Sequence, residues 1–166
     1  MNSPRGRRSV APEGTSVRVV LKVEEPEWRV ADLALLRRAA RLALLGAKRM
    51  GGLTVLLADD QTLCVLNERF RRKPNPTNVL SFPVRSPDDG YLGDIAIAFG
   101  VAAREAAAAR KSLSHHAAHL VVHGVLHLLG YDHQSAREAR IMEGLEVTIL
   151  KQMRIGDPYA LPVAAE

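Results

Sequence analysis

The sequence has little of what secreted and membrane proteins need. Among its 166 residues there is one cysteine, Cys64, which cannot form a disulfide bond within the chain. The first sixteen residues are basic and polar and lack the apolar run of a secretory signal peptide. The most apolar stretch, near residues 120–129, is interrupted by His123 and His127 and is too short to span a bilayer. We therefore expect a cytoplasmic protein without a membrane span.

Length and composition are typical of one globular domain. Hydrophobic residues make up 47% and charged residues 25% of the chain, average values that argue against disordered, collagen-like and coiled-coil classes. A chain of 166 residues is long enough to bury a core of its own. We predict a single domain over residues 1–166, with frayed tails at residues 1–14 and 157–166.

The hydrophobic pattern predicts an α+β fold with a small mixed β-sheet packed with helices. Asp60 follows a short apolar run and is the expected N-cap of a helix that places Phe70 inward. Ser135 and Glu138 have the spacing of a capping box. We expect strands at residues 16–23, 53–59, 78–84 and 93–99, of which the last two can form a hairpin. We expect helices at residues 31–50, 60–70, 101–111, 114–129 and 135–153.

Positive charge is concentrated in one part of the chain. The whole chain has a net charge of +5, whereas residues 35–80 alone have nine basic and three acidic side chains, a net charge of +6. Four cations and one aromatic residue follow one another at residues 69–73, a composition typical of a surface that binds a polyanion such as nucleic acid. A solvated helix end can have the same composition. The position of this basic cluster, residues 69–73, relative to other motifs must therefore decide between the two interpretations.

All six histidines lie within residues 115–133, and three of them have the spacing of a metal site. His123 and His127 are four residues apart, so on a helix their imidazoles project from one face. Gly130 can end that helix in a left-handed conformation, which would return the chain and bring His133 to the first two. Three histidines leave a fourth position open for water, the arrangement of a catalytic zinc site. We predict one zinc ion per chain on these three histidines.

The same histidine spacing occurs in the HExxHxxGxxH motif of metzincin proteases. In this chain Gly124 occupies the position of the glutamate that acts in those proteases as general base on the zinc-bound water. Glycine has no side chain that could accept a proton, so peptide hydrolysis by that mechanism lacks its base. The sequence names no other clear general base.

Three segments resemble one known family, the endoribonuclease YbeY or rRNA maturation factor family. They are HGVLHLLGYDH at residues 123–133, NERFRRKPNPTNVLSFP at residues 67–83 and LGDI at residues 92–95. The resemblance implies a zincin-like architecture, a zinc ion on the three histidines, and cleavage of single-stranded RNA in rRNA maturation and ribosome quality control. It also implies that Arg71 lies in the active cleft.

Charge and resemblance together suggest roles for the basic cluster. Arg71 is the candidate catalytic residue, because a guanidinium fork can hold two phosphate oxygens and stabilise charge in the transition state. Arg69, Arg72 and Lys73 are candidates for attraction of the RNA backbone. At its helical position Phe70 is expected in the core rather than as a platform for stacked bases.

The acidic residue of the histidine motif has two possible roles. Asp132 could accept a hydrogen bond from a ligand histidine, as carboxylates near zinc often do, or it could cap the following helix. The sequence leaves both open. It also assigns no role to His115, His116 and His119, and it favours only a structural role for Asp94.

Three classes of function are consistent with these residues. The first is a metal-dependent endoribonuclease that cleaves single-stranded rRNA or its precursor and works with the small ribosomal subunit and its assembly factors. The second is a zinc-containing, RNA-binding ribosome assembly factor without strong catalysis, because a zinc ion can stabilise a fold without activating water. The third and least favoured is a metalloprotease.

Overall fold

The structure is a computed structural model and describes residues 16–73, 76–85 and 90–160. The elements in these ranges are β1 (Val17–Val23), a short 3-10 helix (Pro26–Val30), α1 (Leu33–Gly46), β2 (Gly51–Ala58), α2 (Asp60–Arg71), β3 (Val79–Pro83), β4 (Tyr91–Ala98), α3 (Phe99–Ala108), α4 (Leu113–Leu128) and α5 (Ala136–Gln152). This order confirms the predicted α+β fold. None of the described helices is long and apolar enough to cross a membrane.

The four strands form one mixed sheet in the order β1-β2-β4-β3. β1 and β2 are parallel, as are β2 and β4, whereas β3 and β4 pair antiparallel as the predicted hairpin. β3 is an edge strand, and Pro83 stands at its last position opposite Gly93. An edge strand tolerates proline because one side of its backbone needs no ladder donor.

Helices cover both faces of the sheet. Alternate strand residues such as Val55 and Ile95 are fully buried in the main core with α1 and α4. On the opposite face Leu63 of α2 packs with Leu80 and Ala96 in a smaller apolar cluster. Since side chains alternate along a strand, β3 presents Val79 and Ser81 to α4 and Leu80 to α2.

α4 approaches the sheet closely at Gly124. The Ser81 hydroxyl donates a hydrogen bond of 2.7 Å to the Gly124 carbonyl oxygen. A Cβ atom on Gly124 would lie 2.9 Å from Cγ2 of Ile95 and 3.2 Å from Cγ2 of Val79, which is closer than packed carbon atoms come. A glycine is therefore needed here to let helix and strand meet.

Two predicted helix boundaries are wrong. α1 ends at Gly46 rather than near residue 50, and Gly51 and Gly52 begin β2 instead of only stopping the helix. The N-cap of α2 is Asp59, whose Oδ1 accepts a 2.8 Å hydrogen bond from the Thr62 amide. The Asp60 carboxylate instead accepts a hydrogen bond from the Val101 amide in the first turn of α3. The sequence alone did not distinguish the two residues, because either of two adjacent aspartates can cap a helix.

The start of α5 agrees with the sequence prediction. The Ser135 side chain accepts a hydrogen bond from the Glu138 amide, and the Glu138 carboxylate accepts one from the Ser135 amide, which completes the predicted capping box.

The inward position predicted for Phe70 is wrong. The residue is 59% exposed at the end of α2, and its ring packs edge-on against Phe82 with centroids 5.3 Å apart. Phe82 lies on β3, the edge strand, so no further strand extends beneath the Phe70 ring. Helical spacing places Phe70 on the sheet side of the helix, but the sheet ends there.

The described chain continues past α5. The predicted tails at residues 1–14 and 161–166 lie outside the described residues. Residues 157–160 are described and form a turn in which the Tyr159 amide donates to Oδ1 of Asp157 at 2.7 Å. This turn contributes a side chain to the site described below.

The contact at Gly124 leads to a test with a matched control. Gly124→Ala should lower the free energy of unfolding by about 1–2 kcal/mol, because the cost of overpacking exceeds the gain in helix propensity. Gly144→Ala, in α5 with no atom within 4 Å of the new Cβ, should raise it by up to about 1 kcal/mol. Urea denaturation of both variants measures the difference, and equal shifts of the same sign would contradict the packing argument.

Candidate metal centre

Three histidines come together at the end of α4. Each of His123, His127 and His133 offers one nitrogen, and these atoms all lie within 4.8 Å of one another. The rings of His123 and His127, one turn apart on the helix, have centroids 4.5 Å apart, and the His133 ring lies 5.1 Å from that of His127. Three imidazole nitrogens this close together form a donor set that fits a zinc ion with an open coordination position.

A helix-ending turn places the third histidine. Gly130 has a φ of +98°, its amide donates to the His127 carbonyl at 3.0 Å, and the Tyr131 amide donates to the Leu126 carbonyl at 3.0 Å. These two bonds define a Schellman motif, which ends a helix and turns the chain back. The left-handed conformation predicted for Gly130 is therefore confirmed, and it brings His133 back to α4.

A buried carboxylate from α5 holds the first of these histidines. Glu146 is fully buried, and its Oε1 lies 2.5 Å from Nδ1 of His123. An ionised carboxylate only accepts hydrogen bonds, so Nδ1 of His123 carries the proton and Nε2 keeps the lone pair that can bind a metal. This arrangement fixes both the tautomer and the orientation of a candidate ligand.

Two further donors complete the environment of Glu146. Its Oε2 accepts from Nε2 of His119 at 3.3 Å and from the Tyr159 hydroxyl. Burial raises the pKa of Glu146, but the hydrogen bonds from His119, His123 and Tyr159 outweigh this and lower the pKa to about 2. The carboxylate is thus charged at neutral pH although water does not reach it. Burial, and the hydrogen bond that the Tyr159 hydroxyl donates to this carboxylate, raise the pKa of Tyr159.

His119, His123 and Glu146 also form a group compact enough to hold a metal. Their facing atoms are already engaged in hydrogen bonds with one another. We therefore interpret this second group as the support for His123 and not as a second metal centre.

The electrostatic surroundings keep His127 in the form that binds metals. Burial lowers its pKa, and His123 and His133 lower it further by charge repulsion, while Asp132 partly opposes them. A histidine with a lowered pKa is neutral at pH 7 and has a lone pair available for a metal ion.

Of the two roles open for Asp132, the helix cap is wrong. Ser135 is the N-cap of α5, and Oδ1 of Asp132 accepts from the amide of His133 at 2.8 Å. This bond stabilises the turn that carries His133. Glu146 provides the carboxylate partner of His123, and a role for Asp132 in orienting another ligand stays a prediction.

The histidines open into a polar cavity of about 290 Å³ between α4, β3 and the end of α2. Two cations, Arg71 and Lys73, line the same cavity as the histidines. Nη2 of Arg71 donates to the Ser81 carbonyl at 3.3 Å, which anchors the guanidinium beside the edge strand. The complete lining is Asn67, Arg71, Lys73, Thr77, Asn78, Val79, Leu80, Ser81, His123, His127 and His133.

The other members of the basic cluster lie outside this cavity. Arg72 is the exposed C-cap of α2 with a φ of 54°, and the Arg69 guanidinium lies 5.7 Å from the centroid of the Phe70 ring. Both could contact a long polyanion, so their role in binding RNA stays a prediction.

The remaining polar residues take structural positions. Nε2 of His116 lies 3.2 Å from Oε1 of Glu105, which also accepts from the Asn78 side chain at the start of β3. The Asp94 carboxylate accepts from the Tyr91 hydroxyl on β4. These contacts agree with the structural role favoured for Asp94.

Sequence reasoning missed Glu146. The signal was a single carboxylate within the otherwise uncharged segment at residues 144–150, GLEVTIL. A charge at such a position is rarely buried without a partner, so it could have been recognised as a buried group awaiting one. Which partner it would meet depends on how α5 packs on α4.

Comparisons with known proteins agree with this geometry. A family model described as endoribonuclease YbeY matches residues 23–154. An endoribonuclease YbeY of Gluconobacter oxydans is 47% identical over 145 residues, which cover 82% of this chain and 84% of that protein. One of Dinoroseobacter shibae is 41% identical over 166 aligned positions, which cover 87% of this chain and 92% of that protein.

A solved structure resembles the fold at lower sequence identity. The solution structure of TM1509 from Thermotoga maritima aligns with a TM-score of 0.56 and 20% identity, and the alignment covers 89% of this chain and 99% of that one. At this identity the similarity concerns the fold alone.

The support of His123 by Glu146 predicts a loss of metal affinity. Glu146→Gln keeps the side-chain size but removes the charge that fixes the imidazole, so the dissociation constant for zinc should rise about 10–100-fold. Competition with a chromogenic chelator measures it. Glu143→Gln, on the same helix but without a contact to His123, is the control, and equal affinities of the two variants would contradict the assignment.

Proposed function

Because the chain belongs to the endoribonuclease YbeY family, we propose that it is a zinc-dependent endoribonuclease that cleaves single-stranded RNA in rRNA maturation and ribosome quality control. The observation that carries the proposal is one cavity whose lining includes both a three-histidine donor set and the cations Arg71 and Lys73. Such a cavity suits a phosphodiester, whose negative charge faces cations on one side while its phosphorus atom faces the metal centre.

The donor set supports zinc as the metal. It contains three imidazoles and neither a thiolate nor a carboxylate, a set common in catalytic zinc sites. When bound, zinc would supply a Lewis acid and a water of lowered pKa. The chain would provide His123, His127 and His133 as ligands, with Glu146 holding His123 in the binding tautomer.

Arg71 is the proposed phosphate-binding catalytic residue. A guanidinium has five N–H donors in a rigid plane, and one of those of Arg71 is used on the Ser81 carbonyl. The anchored plane can present a fork to two non-bridging oxygens, and this interaction strengthens as charge develops on them. In the same cavity Lys73 adds positive charge, which holds the RNA backbone without fixing its geometry.

The shape of the site supports a single strand as substrate. His123 and His127 are half-buried in the lining of a concave cavity, so a scissile phosphate has to enter the cavity to reach them. A flexible single strand can bend its backbone into such a cavity, whereas the phosphates of a duplex are held on a stiff helix. We propose single-stranded rRNA and its precursors as substrates, and the small ribosomal subunit with its assembly factors as the cytoplasmic partners.

The position of Gly124 argues against a protease. The glutamate that serves metzincin proteases as general base would start from a Cβ atom 2.9 Å from Cγ2 of Ile95, so any side chain at this position forces its neighbours to shift. An assembly factor that binds zinc and RNA without cleaving remains the competing interpretation, and a cleavage assay distinguishes it.

The experiment that tests the function is cleavage of single-stranded rRNA fragments by zinc-loaded, nuclease-free protein. Elemental analysis should find one divalent metal per chain, and chelation should abolish cleavage and lower the melting temperature, because only the folded chain binds the metal. His123→Ala, purified identically, should not cleave. Equal cleavage by this variant would indicate contamination, and binding without cleavage by the loaded wild type would favour the assembly factor.

Replacement of Arg71 separates its geometry from its charge. Arg71→Lys keeps the charge but loses the planar fork, so the cleavage rate should fall about 10²–10³-fold while zinc content and melting temperature stay near those of the wild type. Arg72→Lys, at the exposed neighbouring position outside the cavity, is the matched control and should cleave within a few-fold of wild type. Similar rates for the two variants would remove Arg71 from the mechanism.

A further inference from the structure

An exposed aromatic pair lies next to the candidate active site. Phe70 is 59% exposed and contacts the half-buried Phe82 edge-on, with centroids 5.3 Å apart. Pro83 and Val84 continue this surface, and Val84 is also exposed. A contiguous apolar patch on a protein surface is typical of a binding site, whereas a single exposed apolar residue is common on any surface.

The patch adjoins the cavity of the three histidines. A second depression of about 480 Å³ is lined by Phe70, Phe82, Pro83 and Arg85 together with Arg71 and Ser81. Arg71 and Ser81 also line the cavity of the three histidines. The two depressions therefore adjoin at Arg71 and Ser81, and a strand held at Arg71 lies next to the depression that Phe70 lines.

Charge selects the kind of ligand that this surface accepts. The Arg69 guanidinium lies 5.7 Å from the centroid of the Phe70 ring, and Arg71 and Arg85 border the same depression. Cations alternate here with an aromatic face, which matches the alternation of phosphates and bases along a nucleic-acid strand. An apolar segment of a protein would gain nothing from three arginines around its docking site.

Resting on the proposed function, we propose that Phe70, supported by Phe82 and Arg69, forms a nucleobase subsite. When Arg71 holds the scissile phosphate, a base of a neighbouring nucleotide stacks on the Phe70 ring. Phe82, on the edge strand, packs against the Phe70 ring and holds it in place. The Arg69 guanidinium lies over the same ring, and its positive charge attracts the adjacent phosphate. Every base has a π-face, so this subsite orients the strand without reading its sequence.

Abasic substitution tests the subsite. The probe is a labelled oligoadenylate in which one nucleotide at a time lacks its base, and the readout is kcat/KM for cleavage by the zinc-loaded protein. For the wild type, loss of one base near the cut should lower kcat/KM about 5–100-fold. In Phe70→Ala the intact substrate should lose a similar factor, and removal of that same base should then have no further effect.

Other variants separate stacking from packing. Phe70→Trp should keep the wild-type profile, whereas Phe70→Leu, which is apolar but has no π-face, should behave like Phe70→Ala. Val65→Ala, at another exposed position of α2, is the matched control and should leave the profile unchanged. Zinc content and melting temperature of each variant establish that the fold and the metal site are intact.

The outcomes distinguish the subsite from the function on which it rests. If the wild type cleaves and Phe70→Ala shows the same abasic profile, or if leucine serves as well as phenylalanine, the subsite is overturned and the endoribonuclease assignment stands. That result would assign the aromatic patch to another partner, such as a protein. If the zinc-loaded wild type cleaves none of the oligonucleotides, both the proposed function and the subsite are overturned.

Discussion

The buried carboxylate of Glu146 joins three parts of the chain that are far apart in sequence. A charge removed from water is costly unless hydrogen bonds replace its solvent, and here the donors come from His123 and His119 on α4 and from Tyr159 after α5. These bonds favour the charged form, and they lower the pKa of the carboxylate although burial raises it. α5 is therefore held on α4 by the same group that orients a candidate metal ligand, so the packing of the last helix and the geometry of the metal centre depend on each other.

The lining of the cavity arises from different parts of the fold. α4 supplies two histidines from a helix whose other sides are packed in the main core, which gives these ligands a rigid base. The junction of α2 with the edge strand β3 supplies another part of the lining, where Arg71 donates a hydrogen bond to the Ser81 carbonyl. Ser81 is the residue that connects these two parts, because its hydroxyl binds α4 at Gly124 while its carbonyl binds Arg71. One residue of an edge strand thus connects the helix of the candidate metal ligands with Arg71.

The sequence predicted the local features well because local rules govern them. The spacing of His123 and His127, the left-handed Gly130 and the capping box of α5 each depend on residues a few positions apart. Glu146 was missed because it lies 23 residues from the histidine it holds, and only tertiary packing makes them neighbours. Phe70 was misplaced for a related reason, since helical periodicity indicates the side of a helix that faces the sheet but not where the sheet ends.

The close contact at Gly124 also has an evolutionary consequence. A single codon change could introduce the glutamate of a metzincin protease at this position, yet the side chain would enter a space already filled by Ile95 and Val79. If α4 moved away from the sheet to make room for the glutamate, the hydrogen bond between the Ser81 hydroxyl and the Gly124 carbonyl would break. His123 and His127 would move with the helix. Scaffolds with the same histidine spacing can therefore differ in how closely the helix of the histidines approaches the sheet, and a change in that approach would favour the later appearance of a glutamate at this position.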